Sequence, residues 1–243
     1  TDIPTYYSNW FFNRIMDGYV LVRNPINTHQ ISKIALNPDV VDGIVFWTKN
    51  PLPMLDRLGE LDSFPYYFQF TLNSYGKDAE PGLPSKNNVL LPGFRRLSKQ
   101  IGRDRVVWRY DPIFLTPHYT LEYHCHYFRV MASRLSGYTE TCTVSFLDFY
   151  RNTASRMAPL HLLSMTEEAQ IKILTSFSET AKEYGISLNM CAEPISKRLG
   201  IPSASCIDAS RLERISGRCL PAERDKNQRP MCGCAASVDI GME

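Results

Sequence analysis

Apolar residues along this chain fall into two alternating patterns, and each predicts its own kind of element. Five short runs read as strands, the first of them a nearly continuous apolar run of the type buried in a parallel sheet. They are Gly43-Ile-Val-Phe-Trp-Thr48, Tyr66-Tyr-Phe-Gln-Phe-Thr-Leu72, Val106-Val-Trp-Arg-Tyr110, Cys142-Thr-Val-Ser-Phe-Leu147 and Ile186-Ser-Leu-Asn-Met190. Tyr19-Val-Leu-Val22 reads as a further strand near the start. Between the runs, apolar residues recur at helical spacing. Pro51 suits a first helical turn and is followed by Met54, Leu55 and Leu58 on one face. Phe94, Leu97 and Ile101 share a face closed by Gly102, and Tyr119 to Leu135 carries Leu121, Phe128, Met131 and Leu135 on one side. Ser164-Met-Thr-Glu167 has the form of a capping box, opening a helix that stacks Ile171, Leu174, Phe177, Ala181 and Tyr184. The alternation of strand and helix predicts an α/β fold, a (β/α) barrel-like or partial-barrel body with mostly parallel strands. That body is expected over residues 1–194. An irregular, cysteine-containing and metal-associated segment, 195–243, is expected to pack on it.

Chemistry in such sheets lies beyond the carboxyl ends of the strands. Polar residues recur there: Thr48, Lys49 and Asn50; Thr71 and Asn73; Arg109 and Asp111; Ser145 and Asp148; Cys191 and Glu193. Singly, each has a structural explanation, such as a turn before Pro112 or an Arg109–Asp111 ion pair. Their recurrence at five strand ends predicts one shared pocket. Lys49, Arg109, Asp111 and Glu193 are the candidate catalytic residues. Arg and Lys suit a carboxylate or phosphate, while Asp111 or Glu193 serves as a base or orients the cations. Thr48, Asn50 and Asn73 are the candidate cofactor contacts. Trp47, Trp108, Tyr110 and Phe146 read as core, and the five histidines form no metal motif.

Composition narrows the picture little. The net charge of +2 commits the protein to no polyanionic partner, although residues 195–230 carry eight basic against four acidic side chains. No apolar run reaches membrane-spanning length, and neither a signal peptide nor a membrane contact is expected. Seven dispersed cysteines point to a reducing cytoplasm, where clustered thiols signify metal or redox chemistry. Cys125 and Cys142 fall inside a predicted helix and strand as small apolar residues, and Cys219 reads as exposed. Cys191, Cys206, Cys232 and Cys234 remain as candidate ligands for zinc or an iron–sulfur cluster. Gly233 lets the last two turn their sulfurs to one side.

Several motifs occur together in order: Thr1-Asp-Ile-Pro4, Phe46-Trp-Thr-Lys-Asn-Pro51, Tyr67-Phe-Gln-Phe-Thr71, Trp108-Arg-Tyr-Asp-Pro112, Cys191-Ala-Glu193, Asp225-Lys-Asn-Gln-Arg-Pro230, Cys232-Gly-Cys234 and Ser237-Val-Asp-Ile-Gly241. With them the whole chain resembles the bacterial family called domain of unknown function 1848. Members of that family continue into a Cys-x3-Cys-x2-Cys element like that of radical S-adenosylmethionine enzymes. This element, and a short strand with Ser-Arg-Arg ahead of Thr1, are not among the 243 residues. The resemblance therefore implies a [4Fe-4S] cluster, S-adenosylmethionine and an electron donor for the intact protein, acting on a substrate that the resemblance does not specify. Within this chain it implies an accessory cluster or zinc at the four cysteines. The alternative expectation is a zinc-stabilised module that binds nucleic acid through its basic tail without catalysis. A barrel hydrolase using Asp111 or Glu193 without metal ranks third.

Overall fold

The computed structural model describes residues 1–24, 27, 29–147, 158–191, 194–229 and 232–241, so Asp148 and Glu193 lie outside the described residues. The architecture is mixed α/β with a five-stranded parallel sheet, its strands arranged in chain order, flanked by helices. The chain divides into two compact units. Residues 1–70, 205–228 and 233–243 form the first, and residues 71–204 and 229–232 the second.

In the first unit Asp2 caps a short helix, α1 (Ile3–Tyr6), by accepting the Thr5 N–H, and α2 (Ser8–Asp17) follows. Gly18, with φ of 74°, ends α2 in the left-handed conformation that glycine adopts without a Cβ penalty. The next run, β1 (Tyr19–Arg23), pairs antiparallel with β2 (Ile31–Ala35), so the first predicted strand belongs to a separate two-stranded sheet. Its burial pattern explains this placement: β1 and β2 leave most of their residues at least partly exposed, unlike a strand inside a parallel sheet.

Further along the first unit, β3 (Ile44–Thr48) runs parallel to β4 (Tyr66–Thr71). The segment joining them, Leu52–Leu61, is a 3-10 helix instead of an α-helix, but it buries the predicted Met54, Leu55 and Leu58 together with Leu61. Phe46 stacks on Phe68 at 4.7 Å, and Phe11 of α2 meets Phe46 edge-on at 5.2 Å. Trp47 points the other way along the pleat and is 40% exposed, contrary to its reading as core.

In the second unit β5 (Val106–Ile113), β6 (Thr141–Phe146) and β7 (Ser187–Met190) pair in parallel. The Leu72 N–H donates to Arg109 O at 2.9 Å, which carries the chain after β4 alongside β5. Three helices accompany these strands: α3 (Leu91–Ile101), α4 (Leu121–Leu135) and α5 (Glu167–Glu183). The capping residue of α5 is Thr166, whose hydroxyl accepts the Ala169 N–H, so the box read at Ser164 lies two residues too early. Phe128 of α4 lies between Trp108 of β5, at 4.9 Å, and Phe177 of α5, at 3.8 Å, with all three rings fully buried. A one-turn helix, α6 (Ile195–Arg198), follows β7.

The tail read as irregular also contains α7 (Ala209–Ser216), which belongs to the first unit. Its cap is Asp208, which accepts the Arg211 N–H at 3.1 Å. The helix was missed because its apolar face is short, with Leu212 its one buried aliphatic residue. Among the described residues no helix is long and apolar enough to cross a membrane.

Candidate functional site

The candidate residues separate by unit. Thr48, Lys49, Asn50, Cys206 and Cys234 belong to the first, and Asn73, Arg109, Asp111, Cys191 and Cys232 to the second.

At the end of β3 the polar groups close a turn. Thr5 Oγ1 donates to Asn50 O at 3.0 Å, which uses its one hydroxyl proton. Thr48 Oγ1, 3.1 Å away, must then donate to Thr5 while it accepts the Asn50 N–H at 2.9 Å. Asp2 bonds the Thr5 N–H through one oxygen and the Lys49 N–H through the other, at 2.9 and 3.0 Å. Asn50 Oδ1 accepts the Leu52 N–H at 3.3 Å. Thr48 and Asn50 thus fasten the loop after β3 to α1.

In the second unit Arg109, Asp111, Asn73 and Ser145 come together. Arg109 and Asp111 are two residues apart on one strand, so the pleat directs both to the same face. Arg109 Nη2 lies 2.5 Å from Asp111 Oδ2, and Nε donates to Oδ1 at 3.2 Å, with the two side chains 8% and 15% exposed. Ser145 Oγ donates to Asp111 Oδ2 at 3.5 Å, and Asn73 Nδ2 donates to the Asp111 carbonyl at 2.9 Å. The β5–β6 register shifts between Tyr110 and Ile113, and the Asp111–Pro112 peptide within that irregularity is cis. Strand β5 extends three residues beyond its predicted end, which places Arg109 inside the strand and leaves Asp111 nearer its carboxyl end. The planar edge that suits Arg109 to a carboxylate or phosphate ligand is engaged by Asp111.

Directly behind this group is a proton-ordered chain that the sequence did not reveal. His124 Nε2 is 2.9 Å from the Phe114 carbonyl, which only accepts, so Nε2 carries the proton. Nδ1 then accepts from Tyr110 OH at 3.0 Å, and Tyr110 accepts from Ser74 Oγ at 2.7 Å. Burial lowers the His124 pKa, against a smaller opposing effect of the Phe114 carbonyl, and burial pushes the Tyr110 phenol up. Because the folded His124 pKa lies below its unfolded value, the unfolded chain binds the extra proton in between, and stability rises with pH there. This contribution is complete above about pH 6.5, the ordinary histidine value, and is lost as pH falls toward the depressed folded one. Urea midpoints at pH 7.5 and 5.5 should therefore differ more for the native chain than for His124→Gln. Equal differences would remove His124 as the source.

The cysteines are placed unevenly. Cys142 is fully buried and Cys219 exposed, as expected. Cys206 and Cys234 are brought together by two neighbouring segments: the Cys206 N–H points at Cys234 Sγ from 3.1 Å, Ser205 Oγ donates to Gly233 O at 3.0 Å, and the Ala235 N–H to Ile207 O at 3.0 Å. Tyr67 OH and Gln69 Nε2 both donate to the Cys206 carbonyl, at 2.6 and 3.0 Å. Among the described residues no group of three or more His, Cys, Asp or Glu side chains is arranged to hold a metal ion. Of the basic tail, Arg211 is buried at 5% exposure and Arg198 pairs with Glu167.

Comparison with known proteins returns one family. The family model described as Domain of unknown function (DUF1848) matches residues 1–243, the entire chain. No curated protein and no solved structure matches.

Proposed function

The chain belongs to the DUF1848 family, and from that premise we propose that it is the substrate-binding body of an enzyme acting at Asp111, Asn73 and Ser145. The observation that carries this reading is the carboxylate of Asp111, held in place by Arg109 and partly exposed beside the buried amide of Asn73. Asp111 is the group that meets the substrate. Arg109 is its positioning residue, since the paired guanidinium edge fixes both carboxylate oxygens. Ser145 supplies a third polar group next to the same carboxylate.

The reaction class we propose is the radical S-adenosylmethionine type implied by the sequence resemblance, in which the cofactor supplies a hydrogen-abstracting radical. A cluster of that type needs three thiolates at one place. Among the described residues no such group occurs, so the residues present do not fit the cluster by themselves. The chemistry assigned to this chain is that of its own side chains: Asp111 accepts a hydrogen bond or proton from the substrate while Arg109 keeps its oxygens oriented. The test is anaerobic reconstitution of the intact gene product with iron and sulfide, followed by reduction with S-adenosylmethionine present. Bound iron and release of 5′-deoxyadenosine are expected. Protein that retains no iron and releases no deoxyadenosine would overturn the reaction class.

A further inference from the structure

Asn73 is 2% exposed, and only one end of its side chain is used. Nδ2 donates to the Asp111 carbonyl at 2.9 Å, which fixes the orientation of the amide, since turning it over would set two carbonyl oxygens against each other. Oδ1 is then buried with no hydrogen-bond partner among the described residues. Leaving a buried acceptor unpaired costs about 1–3 kcal/mol, and the great majority of such groups in folded proteins are satisfied. This orphan stands just after β4, on the side of a parallel sheet where ligands bind, and its amide is bonded to the residue whose carboxylate is proposed to meet the substrate.

We infer that the Asn73 side-chain carbonyl is a specificity-determining acceptor, and that the substrate presents to it a neutral hydrogen-bond donor, a hydroxyl or an amide N–H. This inference rests on the substrate site proposed above. Donor character follows from the groups present. Asn73 Oδ1 and Asp111 accept, and Ser145, having directed its proton to Asp111, retains only lone pairs. Neutrality follows from charge: among the described residues the Asp111 carboxylate is already balanced by the Arg109 guanidinium, so an ammonium would add a positive charge that none of them matches. A carboxylate would bring an anion against three acceptors. A compound with adjacent hydroxyls, or a primary amide, matches all of these groups.

The test is a ranking of small probes on the full-length protein by ligand-observed NMR. Erythritol and acetamide are the neutral donors, ethylammonium chloride the cation and sodium acetate the anion. The neutral probes should bind most tightly, and Asn73→Leu, which keeps the volume but removes the acceptor, should weaken them at least tenfold. Tighter binding of ethylammonium or acetate, or undiminished binding of the neutral probes to Asn73→Leu, overturns the inference. Should Asn73→Leu not fold, crystals of the native protein soaked in acetamide decide the matter. A donor nitrogen within hydrogen-bonding reach of Asn73 Oδ1, roughly 3 Å, supports the inference, and a water molecule or no density there overturns it. Probe binding requires no turnover. Failure of the ranking therefore leaves the deoxyadenosine test standing, and absence of deoxyadenosine leaves the ranking standing.

Discussion

Replacing Arg109 by methionine is expected to destabilise the protein by about 3 kcal/mol, the lower end of the range for breaking a buried ion pair. Both side chains are mostly buried, at 8% and 15% exposure, and the substitution removes both charge-assisted bonds to the carboxylate. What remains to Asp111 from this group is the long 3.5 Å contact from Ser145. The cost arises from the carboxylate left behind, so the double variant Arg109→Met with Asp111→Leu should recover part of it, giving a coupling well above the ~0.5 kcal/mol scatter of independent sites. Urea denaturation of the four proteins closes the cycle. Strict additivity would mean that the pair is not an electrostatic unit, and Arg109 would lose its positioning role.

The second large effect lies in the aromatic layer of the same unit. Phe128→Ala should cost about 3–5 kcal/mol, the range for emptying a large aromatic site in a packed core. Its ring is stacked at 9° on Phe177 and at 19° on Trp108, and it meets Tyr110 edge-on at 5.5 Å. Such ring pairs add to the loss from burial alone. The neighbouring Tyr127, 39% exposed on the outer side of α4, provides the comparison, with Tyr127→Ala expected to stay within about 0.5 kcal/mol. Melting temperatures of the two variants should differ by several degrees. Similar values would show that the stack around Phe128 is not a tightly packed core. Because Tyr110 joins this layer to His124 and Ser74, loosening it should also blunt the pH dependence assigned to His124.

The two effects belong to different levels of information in the sequence. Phe128 and Phe177 were legible as core positions because helices advertise their buried face through spacing that local sequence preserves. Strands β3 to β7 were legible as short runs rich in apolar, aromatic and β-branched residues, separated by helical spacing. The 3-10 geometry of Leu52–Leu61 was not, since its buried Met54, Leu55, Leu58 and Leu61 follow the i, i+3 and i+4 spacing of an α-helix. Nor was α7, whose polar composition conceals a helix defined mainly by its Asp208 cap.

The site divides in the same way. Arg109 and Asp111 were identifiable as a pair, because two residues on one strand must share a face. Ser74, Tyr110 and His124 were not, because they are joined across 14 and 36 positions by a helix docking on a strand. Thr48 and Asn50 fitted a strand-end site equally well as turn residues, and the choice was made by Thr5 and Asp2, more than 40 positions away.

Sequence by itself determined the α/β class, the family, the strands of the parallel sheet and that Arg109 and Asp111 share one face of a strand, all of which follow from local periodicity or shared motifs. Tertiary structure alone decided that the Arg109 edge is taken by Asp111. It also decided that the Cys206 N–H points at Cys234 Sγ, and that the side-chain oxygen of Asn73 is buried without a partner among the described residues. Those outcomes depend on which distant groups arrive at the same place. A hydrogen bond is specified by distance and angle, and neither is written in the spacing of residues along a chain.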